Sequence, residues 1–201
     1  MGSDPAPFWA NLYLHRHEYI YMSALMKNNI SSAHRFHGCK RFIDDMICLN
    51  DNQEFENSYR QIYPKELELK CEHAGSHATF LDLDIKIEEG MFIYKLFDKR
   101  DAFKFDIVRM PHKMSNIPMK IFFASIISES LRIARSTLRI TNLIPKIAEF
   151  VKRMINQGGD KYKILKQINK AMVRHPETFN KYQTPKTEIL NMIGRHTGSS
   201  E

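Results

Sequence analysis

Hydrophobic periodicity changes along these 201 residues, and the change limits what the chain can fold into. Near the start, Phe8, Leu12, Tyr19, Met22 and Met26 recur at helical spacing. Asp4 is a good N-cap and Pro5 suits a first turn, so the pattern predicts a helix over about 5–27. Over Thr79–Ile87 the period drops to two, with Leu81, Leu83, Ile85 and Ile87 on one face and Asp82 and Asp84 on the solvent face. Glu88-Glu89-Gly90 is a turn, and Met91–Phe97 the return strand. From residue 121 the helical period resumes in three stretches. Their apolar stripes are Phe122, Ile126, Ile133 and Ala134; then Ile144, Ile147, Ala148, Val151 and Ile155; then Tyr162, Leu165, Ile168 and Met172. Thr141-Asn142 would cap the second, and Gly158-Gly159 closes it. This pattern predicts an α+β fold with antiparallel strands.

Between the first helix and the alternating strands lies Lys40-Arg41-Phe42-Ile43-Asp44-Asp45-Met46-Ile47-Cys48-Leu49. Aromatic and β-branched residues flank two adjacent carboxylates, which predicts two short strands with Asp44-Asp45 in a tight turn. Carboxylates this close repel one another, so they favour a neighbouring cation; Mg²⁺, a hard ion with oxygen ligands, is the natural one. A helix follows, beginning at 50–53 with Phe55, Tyr59, Ile62 and Tyr63 on its apolar side, and Pro64 ends it. Leu67 and Leu69 alternate with charged residues as a strand would.

Charge is distributed unevenly. Of a formal net charge of +7, residues 1–110 hold 14 Lys/Arg against 17 Asp/Glu, net −3, and residues 111–201 hold 16 against 6, net +10. A basic C-terminal half points to a polyanion, with nucleic acid the leading candidate. Lys95–Phe105 interleaves Lys99, Arg100 and Lys104 with Phe97, Phe103 and Phe105, a mixture suited to phosphates and stacked bases. No stretch approaches the roughly 18–20 apolar residues of a membrane span, which predicts no membrane partner. Cys39, Cys48 and Cys71 lie far apart without CxxC spacing, as expected of reduced intracellular thiols.

The aromatic-Ile-Asp-Asp run of residues 42–45 resembles the catalytic motif C of reverse transcriptases. Met1-Gly2-Ser3-Asp4-Pro5-Ala6-Pro7 before a long helix resembles motif B of the Penelope-like group, and Phe80-Leu81-Asp82-Leu83 resembles a recurring segment of that group's palm. The resemblance implies an RNA-directed DNA polymerase of a Penelope-like or related non-LTR retrotransposon, a nucleotidyltransferase working in the nucleus. Asp44 and Asp45 would then be catalytic ligands of a two-Mg²⁺ site, and Lys65, in the motif D region, the proton donor to pyrophosphate. Gly2 would approach the base pair, while Lys99, Arg100 and Lys104 would lie in the primer grip. The basic helices would be a thumb, with Arg132, Arg135, Lys163, Lys166 and Lys170 on the duplex backbone. Partners would be an RNA template, a DNA primer and dNTP.

On this resemblance residues 1–110 are a partial palm holding motifs B to E, 111–175 a helical thumb-like domain and 176–201 a mobile polar tail. Motif A and the fingers have no counterpart in the sequence, so the chain is expected to be a C-terminal polymerase fragment, inactive without the missing upstream region. A second expectation is a nucleic-acid-binding remnant without catalysis.

Overall fold

The computed structural model describes residues 5–49, 53–105 and 107–198. Among them are eight α-helices and two small antiparallel sheets, an α+β fold. The chain divides into two compact units, Met1–Ala74 and Gly75–Glu201. The boundary falls at 74, not at 110, because β-strands expected in the palm pack with the helices that follow them.

In the first unit, α1 (Ala6–Asn28) leads to α2 (Ile30–Arg35), then to a hairpin of β1 (Cys39–Phe42) and β2 (Asp45–Cys48), and to α3 (Glu54–Ile62). Asp4, the expected cap of α1, lies outside the described residues. The Asn29 side chain caps α2, its Oδ1 accepting from the Ser32 amide at 3.1 Å. A small core of Phe36, Phe55 and Ile62 is flanked by Tyr21, Met22 and Leu25 from α1 and by Met46 and Tyr59. The stripe expected on α1 is thus largely corrected. Phe8, Leu12, Tyr19 and Met26 are exposed, and no residue of α1 is fully buried. The helix carries apolar residues on every side, so spacing alone did not single out its inward face. At the base of the hairpin the Leu49 amide donates to the Gly38 carbonyl at 3.1 Å. A Cβ at Gly38 would lie 2.2 Å from the Leu49 carbonyl oxygen, so only glycine allows this approach. Residues 67–70 form no strand.

The second unit begins with a three-stranded sheet, β3 (His77–Phe80), β4 (Leu83–Glu88) and β5 (Met91–Leu96), paired in that order. The expected single strand over 79–87 is instead broken at Leu81-Asp82, where a two-residue turn sets Phe80 opposite Leu83. Asp82 and Asp84 therefore do not share a strand face. Asp84 sits between His77 Nε2 at 2.6 Å and Lys95 Nζ at 3.3 Å. Of the expected Glu88-Glu89-Gly90 turn, Glu89 and Gly90 form the turn, both at positive φ, while Glu88 ends β4.

Helices α4 (Met119–Arg135), α5 (Ile140–Asn156) and α6 (Lys161–Arg174) build the core, and their buried rows agree with most of the expected stripes. Two details differ. Tyr162 is exposed and Ile164 is buried in its place. Helix α5 starts at Ile140, so Thr141-Asn142 lies inside its first turn instead of capping it. The side chain of Asp160 caps α6, accepting from the Lys163 amide at 2.8 Å.

Residues 176–198, expected within a mobile tail, form α7 (Pro176–Phe179), a 3-10 turn and α8 (Lys186–Gly198). Phe179, Tyr182, Ile189 and Ile193 from this segment are buried in the helical core. The Tyr182 hydroxyl lies 2.8 Å from the Ala134 carbonyl and 2.7 Å from that of Thr137, closing the end of α4. Burial pushes its phenol above the usual range.

Candidate functional site

The β1–β2 hairpin is the smallest its register permits. Phe42 pairs with Asp45, which leaves Ile43 and Asp44 as the two-residue turn. Asp45 therefore opens β2 instead of sharing the turn as expected. Ile43 has φ of 54°, a left-handed conformation costly for a β-branched side chain. Something must hold that turn in place, and the side chain that does so is Arg41.

Arg41 extends from β1 to α1. Its Nε donates to Glu18 Oε1 at 2.5 Å and one terminal nitrogen reaches Glu18 Oε2 at 3.2 Å. The other terminal nitrogen donates to Asn11 Oδ1 at 2.7 Å and to the Ile43 carbonyl at 3.0 Å. The Tyr63 hydroxyl donates to Glu18 Oε1 at 2.6 Å. One guanidinium thus ties the strained residue of the turn to the long helix. Burial pushes the Glu18 carboxyl up, but hydrogen bonds from Arg41 and Tyr63 outweigh it and hold it below its usual range. The Glu18 hydrogen bond in turn raises Arg41, and burial, reinforced by Glu18, raises the Tyr63 phenol.

These bonds leave Asp44 and Asp45 without the nearest cation in sequence. Both side chains are exposed, and neither has an ion pair among the described residues. Two carboxylates adjacent in sequence, Asp44 in the turn and Asp45 at the start of β2, suit a hard divalent ion in donor type and would supply two of its ligands. Among the described residues no three or more His, Cys, Asp or Glu side chains converge as a metal cluster.

Arg41, Glu18 and Asn11 were not singled out by sequence, and Tyr63, expected on the apolar side of a helix, instead follows α3 and gives its hydroxyl to Glu18. A signal was present: Glu18 is the sole carboxylate of α1, and Arg41 is a charged residue in a four-residue strand.

The remaining expected site residues fall in different settings. Gly2 lies outside the described residues. Lys65 is exposed in a turn after α3. Arg100 is half-buried, giving Nε and a terminal nitrogen to Asp98 at 2.8 and 2.6 Å. Arg132 is also engaged, with Glu129 at 2.8 Å and Asp82 at 2.9 Å. Lys99, Lys104 and Arg135 are exposed. Lys163, Lys166 and Lys170 are exposed on α6, and their spacing of three and four residues puts them on one face. Arg100 and Lys104 line one groove of the second unit; the α6 lysines do not.

Compared with models of known protein families, with curated proteins and with solved structures, the chain matches none. Among the described residues no helix is long and apolar enough to cross a membrane.

Proposed function

We propose that the chain is part of an RNA-directed DNA polymerase of the reverse-transcriptase type, with Asp44 and Asp45 as two of its metal ligands. The observation that carries this reading is the hairpin, where Arg41 is committed to Glu18, Asn11 and the Ile43 carbonyl while both carboxylates are exposed and have no ion pair among the described residues. Asp44 and Asp45 would hold Mg²⁺, which when bound supplies activation of a primer hydroxyl and neutralisation of phosphate charge. The chain's own part is to keep the two carboxylates at one place. Arg41 does so by fixing the turn's backbone, and Glu18 by fixing Arg41. Polymerisation on this reading needs a further carboxylate of the motif A type.

The test is primer extension with Mg²⁺ on an RNA template, with the chain extended upstream through a motif A carboxylate. Asp44→Ala in the extended protein is expected to lower extension on the order of 100-fold or more, above the loss typical of a ligand's supporting partner. Equal extension with and without the substitution would remove the reading.

A second reading, a nucleic-acid binder without catalysis, draws on the exposed Lys163, Lys166 and Lys170 of α6. It predicts duplex binding that weakens with salt. Replacing all three by Gln would flatten the slope of log affinity against log salt by about three. Under this reading Asp44→Ala leaves duplex binding unchanged and there is no extension to lose.

A further inference from the structure

Cys39 opens β1 and Cys48 ends β2, and the register of the hairpin sets the two directly opposite one another. The kind of rung matters. Hydrogen-bonded and non-hydrogen-bonded pairs alternate along an antiparallel ladder. On the rung just beyond the cysteines the Leu49 amide donates to the Gly38 carbonyl, so Cys39 and Cys48 form a non-hydrogen-bonded pair. At such a pair the Cα atoms lie about 4.5 Å apart and the side chains are at their closest. A disulfide spans Cα separations of about 4.4–6.8 Å, so this rung falls within its reach.

The neighbouring residues keep the rung closed. A Cβ at Gly38 would lie 2.2 Å from the Leu49 carbonyl oxygen, so glycine lets the chain close directly beside the cysteines. Cys39 shares its strand face with Arg41, and Cys48 shares its own with Met46, which stands opposite Arg41. Cys39, Met46 and Cys48 all pack against the small core of Phe36, Phe55 and Ile62. Arg41 fixes the turn end of the hairpin through the Ile43 carbonyl, and the cysteine rung stands at the other end.

Both cysteines carry thiols and are half-buried, while Cys71 is exposed in a segment without secondary structure. One such cysteine would serve as a small apolar residue beside the core. Two on one non-hydrogen-bonded rung supply a chemistry that packing does not require.

We propose that Cys39 and Cys48 form a reversible disulfide that clasps the base of the hairpin, made by exchange with a small-molecule disulfide of the glutathione class. The thiolate of one cysteine attacks oxidised glutathione, which forms a mixed disulfide and releases one glutathione thiolate. The thiolate of the other cysteine then attacks the protein sulfur of that mixed disulfide. The Cys39–Cys48 bond forms and the second glutathione thiolate leaves. Two protein thiols are oxidised, one glutathione disulfide is reduced, and the two protons pass to the departing thiolates. Half-burial keeps the bond within reach of a thiol reductant, so the clasp can be reopened. The site uses neither Asp44 nor Asp45, and it stands whether or not the chain polymerises.

The test equilibrates the full chain with graded mixtures of reduced and oxidised glutathione, quenches by alkylation and maps the sulfurs by peptide mass spectrometry. The expected product is a single Cys39–Cys48 cross-linked peptide that returns to thiols in excess dithiothreitol, with Cys71 outside the link. The same titration in concentrated urea separates a folded rung from a short loop closing at random. In native buffer the ratio of squared reduced to oxidised glutathione at half-oxidation should be at least about tenfold higher than in urea, because folding holds the two sulfurs together. Cys48→Ala should leave Cys39 carrying glutathione, and Cys71→Ala should leave the native midpoint unchanged. The readout is the sulfur linkage alone, so it is independent of any polymerase activity. The proposal is overturned if Cys39 or Cys48 ends mainly as a mixed disulfide in the unsubstituted chain or bonds to Cys71. It is equally overturned if both stay thiols where Cys71 has taken up glutathione, or if native and unfolded chains oxidise at the same ratio.

Discussion

The β1–β2 and β3–β4 hairpins turn on the same residue types, Phe42-Ile43-Asp44 in one and Phe80-Leu81-Asp82 in the other. In both, two residues connect the strands, and the aliphatic one sits at positive φ, 54° for Ile43 and 53° for Leu81. The surroundings then diverge. In the second hairpin an arginine meets the turn carboxylate itself, Arg132 to Asp82 at 2.9 Å. In the first an arginine meets the turn carbonyl instead, Arg41 to Ile43 at 3.0 Å, and its charge is matched by Glu18. One backbone solution thus yields a neutralised turn and an open one. The difference lies in what a neighbouring guanidinium is spent on, and it gives the Asp44-Asp45 pair a charge that the described protein does not answer.

Removing the two arginines should separate these roles most strongly. Arg41→Ala strands Glu18, whose side chain is 26% exposed, and frees the strained turn. We expect a loss of about 2–3 kcal/mol in urea denaturation of the first unit. Arg41→Lys should restore less than half, since an ammonium cannot reach Glu18, Asn11 and the carbonyl as a fork does. Arg132→Ala should cost about 1–3 kcal/mol, chiefly because the buried Glu129 carboxylate loses its partner. Asp82→Ala should cost at most about 0.5 kcal/mol, since its side chain is exposed. Were Asp82→Ala to cost as much as Arg132→Ala, the second hairpin would depend on its turn carboxylate and the contrast would fail.

Acid should weaken both regions through different groups. In the first unit Glu18 is depressed, despite burial, by Arg41 and Tyr63. In the second, Asp98 is depressed by Arg100, and Asp84 by His77 and Lys95 against the opposing effect of burial. For a carboxyl with a lowered folded pKa, the unfolded chain takes up protons first as pH falls. The stabilisation is then complete above the unfolded value, near 4, and is lost as pH falls from there through the folded one. Stability should accordingly be level with respect to these groups near pH 6 and drop below about pH 4. Glu18→Gln should flatten the acid limb of the first unit, and Asp98→Asn that of the second. An unchanged limb in either variant removes that carboxyl from the account.

How far such features could be read in advance differs by element. Helix α6 was legible in most of its stripe, though Tyr162 turns outward and Ile164 takes its place inward. The core rows of α4 and α5 were legible from their helical spacing. The turn at Leu81-Asp82 was not. Leu-Asp-Leu-Asp alternates whether the strand continues or reverses, and no glycine marks the positive φ. The last helices were hidden by composition: Phe179, Tyr182, Ile189 and Ile193 lie among polar residues, yet they complete the core. At the site, the Asp pair was conspicuous as a local pattern. The Arg41–Glu18 clamp joins residues 23 apart in sequence, and single-residue spacing carries no sign of such a pairing. The groove likewise joins 100–110 with 150–157, which only folding brings together.

The smallest expected effect probes the shared backbone. A non-glycine residue in the left-handed region costs about 1–2 kcal/mol, and glycine relieves that while losing about 0.5–1 kcal/mol to the entropy of the unfolded chain. Leu81 is 38% exposed, so the burial it gives up offsets the relief, and Leu81→Gly should be near neutral for the second unit. Ile43 is half-buried, and its lost burial should cancel the relief, which leaves Ile43→Gly near neutral. The pair is informative together with Arg41→Ala. If the guanidinium holds a strained turn, Ile43→Gly should reduce the cost of losing Arg41, because less strain remains to be held, and the double mutant should be more stable than the sum of the two single changes. Strict additivity would mean that Arg41 stabilises α1 through Glu18 alone. The turn's geometry would then be set by the strands, as it must be in the β3–β4 hairpin, where the arginine meets the Asp82 carboxylate instead.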